Sequence, residues 1–176
     1  MKSIKTGAAT LALLALSQPQ MAMAQECLAE TDVSDAVVYA MPSLITAVQT
    51  KCDDVLIGGG YLDLQGEALK SRFDARSDQA WPGAKRVIEV YLSRKNKGDQ
   101  TSSMLASLPD DALSPFVAAL ITAEVADEIP LKECANVERG LELLDPLPPE
   151  NVGGLMGFIF RLAGVKKPSI CPMEEN

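Results

Sequence analysis

The feature that most constrains this chain is a set of four cysteines, Cys27, Cys52, Cys134 and Cys171, placed downstream of a segment patterned like an export signal. Residues 1–24 open with Lys2 and Lys5, run through the apolar stretch Ala8-Ala9-Thr10-Leu11-Ala12-Leu13-Leu14-Ala15-Leu16, and close on Ala22-Met23-Ala24. This is the layout of a secretory signal peptide, with cleavage expected after Ala24. The apolar stretch is about half of the roughly 20 residues a membrane-spanning helix needs, so no stable membrane insertion is expected. The mature chain, residues 25–176, then reads as one periplasmic or secreted domain. An even cysteine count in an exported chain points to a disulfide framework. No Cys-x-x-Cys is present, which argues against a thioredoxin-like redox site or a zinc ribbon.

The 176 residues contain no histidine, and that removes the Ser-His-Asp triad, the Cys-His dyad and every His-ligated zinc or haem site. No cofactor or metal motif stands in their place. The formal net charge is −8; removing residues 1–24 takes away two lysines and no acid, giving −10 for the mature chain. An acidic domain of this kind is a poor binder of nucleic acid or of anionic lipid surfaces.

Periodicity along the mature chain is helical, with no clean alternating strand pattern. Asp32 with Asp35 suggests a helix start, and Val33, Ala36, Val37 and Ala40 form an apolar stripe that Pro42 is expected to interrupt. Gly58-Gly59-Gly60 reads as a connector, since neither a preceding strand nor a following Gly-Lys-Ser/Thr makes it a phosphate loop. Leu62, Leu69 and Phe73 share the face of a next helix, ended by Trp81-Pro82-Gly83, and Val87, Ile88, Tyr91 and Leu92 share the face of another. The basic cluster Arg94-Lys95-Lys97 suits a solvated helix C-terminus. Ser114-Pro115 reads as a cap for a helix with Phe116, Val117, Leu120, Ile121 and Val125 facing the core. Cys134, Val137, Leu141 and Leu144 mark a further helix. After Asp145-Pro146-Leu147-Pro148-Pro149 comes a last, nearly apolar helix from Glu150 to about Ala163. The fold class expected is all-α: a single small domain, an irregular bundle of five to seven short helices with two disulfides.

If the last two helices form an antiparallel hairpin, Cys134 comes beside Cys171, and Cys27 is left to pair with Cys52. That second pairing requires a turn at Pro42. An unbroken helix from Val33 to Cys52 would hold its ends about 28 Å apart, beyond the roughly 20 Å that six linking residues reach.

The frame Cys27…Pro42…Cys52…Cys134, with Leu144-Asp145-Pro146-Leu147-Pro148-Pro149-Glu150-Asn151 and a closing Cys171, resembles small exported helical proteins of Gram-negative bacteria to which no function attaches. The resemblance implies export and disulfides and carries no activity.

Three functional classes fit these residues. The first is a non-catalytic exported protein that acts on a protein partner, as an accessory, inhibitor or envelope-stress factor. The second is a carrier of a lipid or other apolar ligand, in a groove lined by Leu155, Met156, Ile159 and Phe160. Gly153 and Gly157, four apart, suggest instead that this helix is buried against a close neighbour, with Ile159 and Leu155 or Phe160 in the core. The third is a carboxylate-based hydrolase drawing on Asp53-Asp54, Asp63 with Glu67, Asp110-Asp111 or Asp127-Glu128, provided burial raises the pKa of one acid.

Overall fold

A computed structural model describes residues 27–56, 58–95, 104–105, 107–165 and 168–171. The export segment and the side chains of the basic cluster Arg94-Lys95-Lys97 lie outside the described residues. In chain order the elements are β1 (Cys27–Leu28), α1 (Glu30–Cys52), α2 (Tyr61–Lys95), α3 (Asp110–Glu128), a 3-10 turn (Leu131–Glu133), α4 (Cys134–Leu144), α5 (Pro149–Leu162) and β2 (Ser169–Ile170). The chain is an all-α domain with two disulfides. Its two short strands pair in parallel, Cys27 with Ser169 and Leu28 with Ile170, and bring the two ends of the described fold together.

The helix α1 is the axis of the bundle and packs against α2, α3 and α5. Val38, Met41, Ile45, Ala47 and Val48 are all buried, and they do not fall on one stripe. A helix apolar all round belongs inside a fold. This explains why Pro42 does not interrupt it. A proline in a helix interior costs about 3 kcal/mol, whereas each fully buried aliphatic side chain contributes about 1.5 to 3 kcal/mol, and unwinding at Pro42 would expose several. The helix begins at Glu30 rather than behind an Asp32 cap; Asp32 instead accepts a hydrogen bond from Arg86 Nε at 3.0 Å.

The same balance makes α2 one helix of 35 residues through Trp81-Pro82-Gly83, where two helices were expected. Leu62, Leu69, Phe73, Ala80, Trp81 and Ala84 are buried along it. Trp81 stacks at a tilt on Tyr39 of α1, ring centroids 5.0 Å apart. Gly83 faces Asp35 so closely that a Cβ there would meet its side chain, so this glycine serves helix crossing rather than helix ending. The five helices described fall within the expected number, but the first two are longer than periodicity and prolines suggested.

α3 starts at Asp110, four residues before the expected Ser114-Pro115 cap, and Ser114 instead accepts on its carbonyl oxygen from the Tyr39 hydroxyl at 2.6 Å. Of its expected stripe Val117 is buried and Ile121 packs on the core, while Phe116 and Leu120 are exposed.

The disulfides are Cys27–Cys171 and Cys52–Cys134, and this corrects both expected bridges. The unbroken α1 is the physical reason. Its 23 residues keep Cys27 and Cys52 at opposite ends of a rod about 34 Å long, so neither can reach the other. Cys52, at the C-terminal end of α1, meets Cys134 at the start of α4, and both are fully buried. Cys171 follows β2 back to the start of α1, where Cys27 lies one strand away.

Candidate functional site

The helix α5 is built by its connector and its glycines. Pro148 is the N-cap and Pro149 the first helical residue, where a proline's missing N–H costs nothing. Gly164, at φ 63°, closes the far end, with its N–H donating to the Arg161 carbonyl oxygen at 3.0 Å. The inner face carries the small residues. A Cβ on Gly153 would stand 2.7 Å from the Ser34 carbonyl oxygen and 2.8 Å from Val38 Cγ2, and one on Gly157 would stand 3.1 Å from the Glu30 carbonyl oxygen. Val152 completes the contact, fully buried. An ion pair from Arg161 Nε to Glu30 Oε2, 2.7 Å, and another from Arg76 to Glu150, 2.9 Å, brace the helix at its two ends.

With glycine inside, the large residues face out. Leu155, Phe158, Ile159 and Leu162 are 44%, 41%, 42% and 68% exposed, and their spacing of i, i+3, i+4 and i+7 places them on one stripe. Val165, just beyond the helix, is 40% exposed. Arg161 Cζ lies 5.2 Å from the Phe158 ring centroid, so the one cation of this segment covers an edge of the stripe while pairing with Glu30.

This arrangement revises the expected groove. Leu155 and Ile159 lie on the outer face, whereas Met156 and Phe160 are half-buried toward α1, so the four do not line one surface. The expected burial of Ile159 with Leu155 or Phe160 is overturned as well, because backbone contact at Gly153 and Gly157 leaves no room for large side chains between the helices. Phe158 and Leu162 were missed by sequence reasoning, although their helical spacing with Leu155 was legible.

The carboxylates singled out in the sequence are dispersed. Asp53 and Asp54 are exposed beyond the end of α1, and Asp127 and Glu128 are exposed at the end of α3. Asp63 accepts from the Gly59 N–H at 2.8 Å, and Glu67 pairs with Lys70. Asp110 is held below the usual carboxylate range by its hydrogen bond from Lys85. Asp35 is raised, first by burial and then by Asp32, with Arg86 opposing, and it was not among the acids considered for catalysis. Among the described residues no group of three or more Cys, Asp or Glu is placed to hold a metal ion.

A cleft of about 460 Å³ between α2 and α4 is lined by Tyr61, Gln65, Glu138, Arg139 and Glu142. Its polar groups serve the fold. Glu138 Oε1 accepts from the Leu62 N–H at 2.9 Å and so caps α2 across the cleft. Burial, then the Asp145 carboxylate, pushes the Tyr61 phenol up to about 12. A smaller cleft of about 300 Å³ is walled by Val125, Ile129, Pro130 and Val137, with Glu124 and Glu128 beside it.

No described helix is long and apolar enough to cross a membrane. Compared with protein-family models, with curated proteins and with solved structures, the chain gives no match.

Proposed function

We propose that this is an exported, non-catalytic helical protein that acts by protein–protein contact through the outer face of α5. The observation that carries this reading is the exposed stripe Leu155, Phe158, Ile159 and Leu162 on a helix whose inner face is glycine. Contiguous exposed apolar surface of this kind marks recognition sites, whereas scattered single hydrophobic residues need no explanation. Two disulfides support an oxidising compartment, and cleavage after Ala24 would release the chain there. A photo-reactive benzoyl-phenylalanine at position 158, with the same group at exposed Leu64 of α2 as control, tests the contact in the exporting cell. Protein adducts from 158 and none from 64 are expected; equal yields from both positions, or none from 158, would refute it.

A second reading, a carrier of an apolar ligand, draws on the cleft walled by Val125, Ile129, Pro130 and Val137 rather than on α5. Native mass spectrometry of the protein purified from its own compartment would then show a bound lipid-sized mass, lost on Val137→Glu.

A further inference from the structure

Resting on the contact reading above, we infer that the partner of the α5 face is a second copy of this chain, seated antiparallel across a two-fold axis between Phe158 and Ile159. The stripe reads the same in both directions about that point. A two-fold rotation sets Leu155 against Leu162 of the other copy and Phe158 against its Ile159, so each large side chain meets a large apolar one. Such self-complementarity is what a closed, isologous dimer requires.

Charge points the same way. The chain carries −8 overall, yet residues 151–165 contain no acid and a single cation, Arg161, already paired with Glu30. Two copies therefore meet along this stripe without acid facing acid. The exposed pair Phe116 and Leu120 on α3 lacks this property, since Asp111, Glu124 and Asp127 share its helix. Antiparallel seating is favoured over parallel because it brings opposite rather than like ends of the two helix dipoles together.

The stripe offers on the order of 400 Å² per copy, against roughly 800 Å² per partner in a standard stable interface. The dimer is accordingly weak.

Sedimentation equilibrium of the oxidised protein from about 5 to about 500 µM tests this. The wild type should pass from monomer toward dimer across that range; Phe158→Glu and Leu162→Lys should each weaken association about tenfold or more, and Leu64→Glu should leave it unchanged. Far-UV circular dichroism of each variant shows whether it is folded, and two outward substitutions guard against the failure of one. In the dimer, benzoyl-phenylalanine at 158 should link to a peptide containing Ile159. A monomer at every concentration, or a dimer indifferent to both α5 substitutions, overturns the self-pairing. Adducts from 158 only to a different protein overturn it while keeping the contact reading; no adduct to any protein overturns both.

Discussion

Gly153 of α5 lies so close to Ser34 of α1 that a Cβ added to it would stand 2.7 Å from the Ser34 carbonyl oxygen. The two helices therefore touch backbone to backbone at that point. Alanine is the better helix former by about 1 kcal/mol, but a methyl group pressed against a carbonyl oxygen costs about 1 to 3 kcal/mol because the backbone cannot step aside. Gly153→Ala is expected to lower the melting temperature by a few degrees. The next residue gives the opposite sign: a Cβ on Gly154 meets nothing within 4 Å, so Gly154→Ala should gain up to about 1 kcal/mol. Thermal unfolding of the two variants side by side checks both signs.

Peptide mapping without reduction should find Cys27 joined to Cys171 and Cys52 joined to Cys134. Cys52 and Cys134 are buried while Cys27 and Cys171 are only half-buried, so a mild thiol reductant should open the terminal bridge first. Removing the Cys52–Cys134 bridge with paired alanines should cost about 4 kcal/mol, the loop-closure effect for a separation of this size. Opening of the buried bridge first would contradict the packing described for α1 and α4.

Alkaline titration followed at 295 nm should show two late tyrosines. Burial raises Tyr39 and, more strongly, Tyr61, the latter to about 12. The sign of the stability effect follows. A phenol whose folded pKa lies above its unfolded value of about 10 contributes fully below pH 10, and that contribution is lost as pH rises toward 12. Tyr61→Phe should remove the latest ionisation step and flatten the fall in stability above pH 10.

Much of the helical content was legible in the sequence, because Leu62, Leu69 and Phe73, and likewise Val117 and Ile121, sit at intervals that only a helix brings to one side. The lengths of α1 and α2 were not. Pro42 and Pro82 carry a local signal for breaking, and what overrides it is burial against helices distant in sequence, as Trp81 on Tyr39 illustrates. The disulfide pairing failed too: it was drawn from a hairpin of the last two helices, and the bridge left over, Cys27 to Cys52, required a turn at Pro42 that the unbroken α1 does not make. On α5 the small residues correctly indicated close approach, but the inference that the whole helix is core did not follow. Glycine contact brings a backbone near its neighbour and by the same geometry turns Phe158 and Leu162 away.

The account rests on α5 presenting its large apolar residues outward from a folded monomer, and urea unfolding of Ile159→Ala at sub-micromolar concentration tests that most directly. Ile45→Ala, at a fully buried position of α1, provides the scale and should cost about 2 to 5 kcal/mol. Ile159→Ala, at a position 42% exposed, is expected to cost less than about 1 kcal/mol, with the denaturant slope unchanged. A loss for Ile159→Ala comparable to that of Ile45→Ala would place the outer face of α5 in the core and contradict its assignment as a contact surface.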